Sequence, residues 1–222
     1  MKRLSDGAFV GYQMKKTNRN AIQGPSEVRQ VSQADFPSHY GMFIIRGFEH
    51  LATSEPFVVL SCGDLTGGTV PLLRIHSQCL TGDVLGSRRC DCGYQLQESL
   101  RLIQASGCGL LIYQLQEGRG IGILNKLLAY ELQDQGMDTV EANEKLGFRA
   151  DLRQYDECAA ILLFLGVRRV KLLSNNPDKV AGLTRNGIDV TARVSLEMPP
   201  DGRSRDYLRT KKEKLGHLLD KI

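Results

Sequence analysis

The sequence predicts a mixed α/β fold in which a β-rich N-terminal section packs with a sheet of alternating strands and helices. Three observations predict it. Before Cys92 the apolar residues fall in short runs, Met42 to Ile45, Phe57 to Leu60 and Val70 to Ile75, separated by Gly, Pro, Ser and Asp. After Cys92 the period lengthens: Leu96, Leu100 and Ile103 recur at i, i+4 and i+7, which is one face of a helix over 93–106. Compact apolar runs then alternate with further helical stretches, the pattern of a sheet with helices on its faces.

Taken in order, residues 1–27 read as a flexible leader closed by the turn-forming Gly24-Pro25-Ser26. Gly63 to Gly68 reads as a hairpin connection. Gly107 and Gly109 end the first helix, and Leu110 to Tyr113 is a buried strand. Leu124, Leu127, Leu128 and Leu132 mark a second helix, stopped by Gly136. Ala159 to Leu165 is apolar on all sides and reads as a buried helix. Val170 to Leu173 is a strand, Pro177 opens a short helix at its tolerated first-turn position, and Ile188 to Val194 is the last strand. Residues 201–222 form a basic tail whose Lys-rich run from Arg209 reads as a solvated helix.

The length of 222 residues suits one domain, and 41% hydrophobic with 24% charged residues is ordinary globular content. Nothing approaches the roughly 18 apolar residues of a membrane span, so no membrane partner is expected. Met1 to Asn20 is polar and basic, and Ala8-Phe9-Val10 is too short for a secretory signal, which predicts a cytoplasmic protein. The net charge is +4, aromatics are 6% and Trp is absent, with basic residues spread along the chain. That pattern predicts no nucleic-acid partner and fits a polyphosphate ligand.

Of the six cysteines, Cys62, Cys108 and Cys158 lie in or beside apolar runs and read as small buried hydrophobes. Cys79-x10-Cys90-x-Cys92 is different: three thiols within fourteen residues of polar sequence. Three protein ligands plus water is the pattern of a catalytic zinc, which generates hydroxide near neutral pH. His76, three residues before Cys79, offers instead the fourth ligand of a closed structural site. Spacing alone leaves both readings open, along with three unrelated cysteines.

The flanks carry cations and hydroxyls suited to phosphate oxygens, Arg74 to Asp83 and Arg88 to Gly93, although any one Arg reads equally as solvent-facing charge. Gln116-Glu117-Gly118-Arg119-Gly120-Ile121-Gly122 joins a strand to a helix, where backbone N–H groups face an anion. Ser174-Asn175-Asn176-Pro177-Asp178-Lys179 is a second such turn.

These motifs together resemble the GTP cyclohydrolase II family, from about Val28 to Gly216-His217-Leu218-Leu219. The resemblance rests on His76-Ser77-x-Cys79-Leu80-Thr81-Gly82-Asp83, Arg89-Cys90-Asp91-Cys92-Gly93, Gln116 to Arg119, Ala129-Tyr130, Leu132 to Gly136, Asp138 to Asn143 and Leu146-Gly147-Phe148, in that order. It implies a single catalytic domain over 28–200. It implies a homodimer that hydrolyses GTP to 2,5-diamino-6-(5-phosphoribosylamino)pyrimidin-4(3H)-one, formate and pyrophosphate, the first step of riboflavin synthesis. Cys79, Cys90 and Cys92 match the ligands of one Zn2+ per subunit, and Mg2+ is expected on the triphosphate. Arg74, Ile75, His76, Ser77, Gln78, Gln95, Glu117, Gly118, Arg119, Thr139, Ser174 and Lys179 match nucleotide-binding positions. Asp151 matches a proton acceptor, Arg153 a nucleophile, and Tyr130 a tyrosine tied to completing the ring opening. Apart from the resemblance, Asp151 and Arg153 read as a surface ion pair and Tyr130 as a helix residue with one wet edge. A guanidinium stays protonated, so a second role for Arg153 is a cationic clamp on the α-phosphate.

Gln78 departs from the family pattern, standing where Glu usually precedes the first cysteine, and Gln114 and Leu115 stand where an apolar residue and an Arg are common. Two alternatives follow. One is a variant that stops at a formamidopyrimidine nucleotide, and the other is a non-catalytic zinc- and nucleotide-binding paralogue. Retention of Tyr130 speaks against the first, and retention of Asp151, Arg153 and all three cysteines speaks against the second.

Overall fold

The computed structural model describes residues 27–197 and 205–220. The leader therefore lies outside the described residues but for its last position, as do 201–204 and 221–222 of the tail. Seven strands form one sheet: β1 (Val28–Ser38), β2 (Gly41–His50), β3 (Pro56–Cys62), β4 (Leu72–Ser77), β5 (Gly109–Gln114), β6 (Arg169–Leu173) and β7 (Asp189–Val194). Their order is β1-β2-β3-β5-β4-β6-β7. From β1 to β5 the neighbours are antiparallel, and from β5 through β4 and β6 to β7 they are parallel.

This order corrects the hairpin expected at Gly63 to Gly68. β3 and β4 are consecutive in sequence, yet β5 lies between them. The reason is burial: β4 is apolar or buried along nearly its whole length, so both its edges and both its faces must be covered. The chain reaches β5 from β4 through a right place for a crossover helix, α2 (Cys92–Ser106), after the short α1 (Leu80–Asp83). α2 ends at Gly107, whose φ of +69° is the left-handed C-terminal cap that glycine supplies.

The remaining helices are α3 (Gly122–Asp134), α4 (Thr139–Lys145), α5 (Asp156–Phe164), α6 (Pro177–Arg185) and α7 (Arg205–Leu215). On one face of the sheet Ile75, Leu110 and Ile112 pack under Ile161 and Leu162 of α5 and Leu183 of α6. On the other, Leu111, Leu173 and Phe43 pack under Leu100 and Ile103 of α2. Each fully buried aliphatic contributes roughly 1.5–3 kcal/mol relative to exposure. None of the described helices is long and apolar enough to cross a membrane.

Three other expectations change. α5 is buried at Cys158, Ala159, Ile161 and Leu162, but Leu163 and Phe164 are over a third exposed, so it is not covered all round. In α3 the expected apolar stripe does not face the core: Leu124, Leu127 and Leu128 are exposed, and only Ala129 is buried. α7 is not a solvated helix, because Leu208, Thr210 and Lys211 are buried. Its outer edge is fixed by Lys214, which pairs with Asp138 and Glu141 at the start of α4. Cys62 is only partly buried, whereas Cys108 and Cys158 are buried as expected.

Candidate active site

Parallel strands point their carboxyl ends the same way, and the loops leaving those ends form the natural ligand crevice of such a sheet. Here β4 leads into Gln78-Cys79, β5 into Gln116 to Arg119, and β6 into Ser174 to Asn176. These three loops, with α2, α3 and α7, line one cleft.

At one end lie the sulfurs of Cys79, Cys90 and Cys92, all within 4.8 Å of one another. Cys79 Sγ and Cys90 Sγ are 3.7 Å apart. A zinc–sulfur bond of about 2.3 Å puts two thiolates of a tetrahedron roughly 3.8 Å apart, so the spacing is that of a metal site. Gly82 makes room for it. A Cβ there would stand 2.9 Å from Cys90 Sγ and 3.1 Å from Cys79 Sγ. Gly93 is equally fixed, since its Cβ would meet the Gly82 carbonyl at 2.3 Å. The Cys79 pKa is pushed far down by S–H donation from Cys90 and Cys92 and by the Lys126 ammonium. Cys90 is pushed up to about 11 by the same contact with Cys79. One thiolate is thus already favoured, and a divalent cation favours the other two.

Polar contacts hold this loop from behind. Asp83 accepts from the Cys79 backbone N–H at 3.0 Å, from Tyr113 Oη at 2.8 Å and from His76 Nε2 at 3.0 Å. His76 is thereby excluded as a fourth ligand: it is buried, stacked on Tyr113 and turned to Asp83, and only the three cysteines form the group that could hold a metal among the described residues. The geometry gives no support to a closed structural site completed by His76 Nε2. Burial lowers the His76 pKa against the pull of Asp83. On the other side Lys126 of α3 donates to Glu117 Oε1 at 2.7 Å and to Cys79 Sγ at 3.1 Å. Glu117 Oε2 in turn accepts the Leu80 N–H at 2.7 Å. Tyr130 Oη meets Thr81 Oγ1 at 3.1 Å, and Thr81 Oγ1 lies 3.7 Å from Cys79 Sγ, so the tyrosine hydroxyl stands beside the sulfurs.

The rest of the cleft is cationic. Arg74, Arg89, Arg119, Lys126, Arg153, Lys179 and Lys211 line it, against the one carboxylate of Glu117. Several are held by the fold rather than by acids. Arg74 donates to the Leu173 carbonyl at 3.0 Å and to Gln95 Oε1 at 2.6 Å, and Lys179 donates to the Ile75 carbonyl at 2.9 Å. Burial lowers the Arg74 pKa to about 10, and burial with Arg74 and Arg153 nearby drives Lys179 well down. Arg119 occupies the left-handed region at φ +62°, directly after Gly118 at φ +61°. A non-glycine residue held there stores strain, here in a loop that aims its side chain into the cleft. Buried atoms without a protein partner include Arg74 Nε, His76 Nδ1 and Arg119 Nη2, all on cleft-lining residues. Buried polar atoms are ordinarily paired, so these are open to a ligand or to water.

Asp151 and Arg153 form a largely buried ion pair, their side chains 20% and 14% exposed, which replaces the surface pair the sequence alone suggested. Arg153 Nε lies 2.9 Å from Asp151 Oδ1, and the Arg153 N–H donates to the same oxygen at 3.0 Å. Burial alone would lower the Arg153 pKa, but Tyr155 and Asp151 outweigh it and raise it. Arg153 lines the cleft and Asp151 stands behind it. The cleft also gathers Ser77, Gln78, Gln95, Gly118, Thr139 and Ser174. Ile75 is different: its side chain is fully buried in the core, and it meets the site through its carbonyl. Sequence reasoning missed Lys126, Tyr207, Lys211 and His217, all of which line the cleft. Lys126 carried a readable signal, one turn into the helix after the glycine-rich loop. The other three lie in the stretch read as a basic C-terminal tail.

Residues 28–195 match the family model described as GTP cyclohydrolase II. Among curated proteins the chain is 53% identical over 192 residues to a GTP cyclohydrolase-2 of Hahella chejuensis, covering 86% of this chain and 93% of that one. It is 51% identical over 195 residues to the GTP cyclohydrolase-2 of Escherichia coli K12, covering 88% of this chain and all of that one. A riboflavin biosynthesis protein of Vibrio vulnificus is 50% identical over 194 residues, 87% of this chain and 53% of that one. With the sulfur triad and the cationic cleft in place, this chain belongs to the GTP cyclohydrolase II family.

Proposed function

We propose that the protein hydrolyses GTP at carbon 8 of the guanine ring, releasing formate and pyrophosphate and leaving the diaminopyrimidinone ribosylamino 5′-phosphate that begins riboflavin synthesis. One observation carries the reading. A single cleft has a three-sulfur cradle with tyrosine and threonine hydroxyls at one end and a surplus of buried cations elsewhere, with orphaned polar atoms on Arg74, His76 and Arg119. Family membership supports it.

Cys79, Cys90 and Cys92 would hold one Zn2+. Bound there, zinc supplies a hydroxide near neutral pH. The other roles belong to the chain. Lys126 offsets the thiolate charge, and Tyr130 offers a hydroxyl for proton traffic beside the sulfurs. Arg74, Arg119 and Lys179 receive the polyphosphate, whose remaining charge Mg2+ offsets. For Arg153 we favour the clamp on the α-phosphate. Its guanidinium is locked to Asp151 and its pKa is raised, which opposes a role as nucleophile. We further propose a homodimer, supported by the exposed Leu124, Leu127 and Leu128 on α3. Sedimentation of the purified chain tests that.

The test of activity is incubation of the zinc-loaded protein with GTP and Mg2+, with products resolved by mass spectrometry. Formate, pyrophosphate and the diaminopyrimidinone nucleotide are expected. A formamidopyrimidine nucleotide alone would select the partial reaction, and unchanged GTP would overturn the proposal.

A further inference from the structure

α7 lies beyond the segment that matches the family model, yet it enters the cleft. Tyr207 and Lys211 are four residues apart, hence on one helix face, and both line the cleft, as does His217 just past the helix end. Lys211 Nζ lies 2.8 Å from Asp91 Oδ1, with side chains 10% and 6% exposed. Burying two charges is expensive and their attraction repays that only in good geometry, so such a pair is weak evidence of a purely stabilising role. Asp91 in turn accepts Gln95, and Gln95 accepts Arg74, so a chain of contacts runs from strand β4 through α2 to α7. The Lys211 ammonium also stands 4.4 Å from the centre of the Tyr207 ring, and the Arg119 guanidinium 6.0 Å from it. Past the helix the chain turns back: the His217 N–H donates to the Lys211 carbonyl at 3.0 Å, and the Leu218 N–H to the Asn175 carbonyl at 2.9 Å. The loop after β6 and the loop carrying Cys90 and Cys92 are thereby bridged by α7.

We infer that α7 and the turn after it are a wall of the nucleotide site, with Lys211 contacting the phosphates of the bound nucleotide and Asp91 holding that lysine in place. The inference rests on the nucleotide reading of the cleft. It follows from geometry: Lys211 is a buried cation at the edge of a cavity whose other cations face the same space, and its carboxylate partner among the described residues, Asp91, is shared with Gln95. An arriving polyanion adds a second partner to Lys211 and tightens the wall over the ligand.

The test uses the full-length, zinc-loaded protein. Steady-state kinetics with GTP are measured for the wild type, Lys211→Met and Lys211→Arg. Trypsin cleavage within α7 is followed with and without a GTP analogue carrying a methylene between its α- and β-phosphates. A charged hydrogen bond of about 1.5–3 kcal/mol predicts that Lys211→Met raises KM by roughly ten- to a hundredfold. kcat should change by less than about threefold, and Lys211→Arg should restore most of the loss. The analogue should protect α7 in the wild type and not in Lys211→Met. A fall in kcat at unchanged KM would make Lys211 a mere support for the cysteine loop and would overturn the contact. If Lys211→Met does not fold, protection in the wild type decides, and its absence sinks the inference. Wild-type protein that leaves GTP untouched and fails to bind the analogue fails the nucleotide reading itself, whereas normal turnover with unprotected α7 fails only this wall.

Discussion

Replacing Lys126 by Met separates two jobs that one ammonium performs. It lies 2.7 Å from Glu117 Oε1 and 3.1 Å from Cys79 Sγ. At an effective dielectric constant near 20, opposite unit charges about 3 Å apart attract by roughly 5 kcal/mol before desolvation is subtracted. Loss of the cation leaves the Glu117 side chain, 6% exposed, without its partner. Stranding a buried carboxylate costs about 3–5 kcal/mol; the lower end applies because the Lys126 side chain is 12% exposed and water can follow it in. The second effect falls on the metal. Three thiolates and one divalent cation carry a net charge of −1, which the Lys126 ammonium, 3.1 Å from Cys79 Sγ, partly offsets. Removing such an outer partner lowers metal affinity by roughly 10–100-fold. Adding Glu117→Gln tells the two apart. The double variant recovers most of the folding stability, since the stranded charge is gone, but keeps the loss of zinc affinity. Denaturant unfolding of the metal-free proteins reads the first quantity and competition with a chromophoric chelator the second. Zinc affinity unchanged in the single variant would refute the electrostatic role assigned to Lys126.

Gly82→Ala places a methyl 2.9 Å from Cys90 Sγ and 3.1 Å from Cys79 Sγ, so zinc affinity should fall by more than about tenfold, measured by the same competition. Gln114→Leu removes the fully buried amide that donates to Ser77 Oγ at 2.7 Å and accepts from Cys158 at 3.3 Å. Stability should move by about 1 kcal/mol or less, because Ser77 can turn to the cleft, while KM for GTP rises a few-fold; unchanged kinetics would remove Gln114 from the site's support. Burial first, then Lys211 and Arg153, lowers the His217 pKa from 6.5 to about 3. Between those values the unfolded chain binds a proton that the folded chain does not. Folding stability therefore falls as pH drops from 6.5 towards 3, and denaturant midpoints of His217→Gln should show a flatter profile than the wild type over that window.

What the sequence disclosed was set by how local each signal is. α2 and β5 were legible because a helix face and a buried strand are written in consecutive residues. The sulfur site was legible for the same reason, its three cysteines falling within fourteen consecutive residues. The order of strands was not, because the insertion of β5 between β3 and β4 is decided by what covers both edges of β4, which no short window contains. α7 was misread because a basic amphipathic run looks alike whether it faces water or a cleft. What distinguishes it is Asp91, 120 positions away from Lys211. The leucines of α3 misled in the opposite sense: a regular stripe predicts burial, but here it faces outward beside the site. Asp83 went unnoticed as a centre because its three donors, His76, Tyr113 and the Cys79 amide, converge only once β4 and β5 pair.

The departures from the family pattern acquire a physical reading from the same pairing. Ser77 stands opposite Gln114 in the parallel ladder, and the Gln78 N–H donates to the Gln114 carbonyl at 2.9 Å. Positions 78 and 115 are therefore neighbours one step beyond the ladder. A Glu at the first and an Arg at the second would stand side by side there, at a rim where Leu115 is 39% exposed. An ion pair in that setting contributes about 0–1 kcal/mol. Losing both members together changes little in stability and nothing in net charge, whereas losing only the Arg would strand a carboxylate one residue from Cys79. A paired exchange of that kind would leave the sulfur triad and the cationic cleft intact. Gln114 belongs to a different account: it faces inward, where its amide joins Cys158 to Ser77. It reaches the cleft-lining Ser77 side chain by a hydrogen bond, so its reversion should be felt in nucleotide binding through Ser77, whereas Gln78 lines the cleft directly.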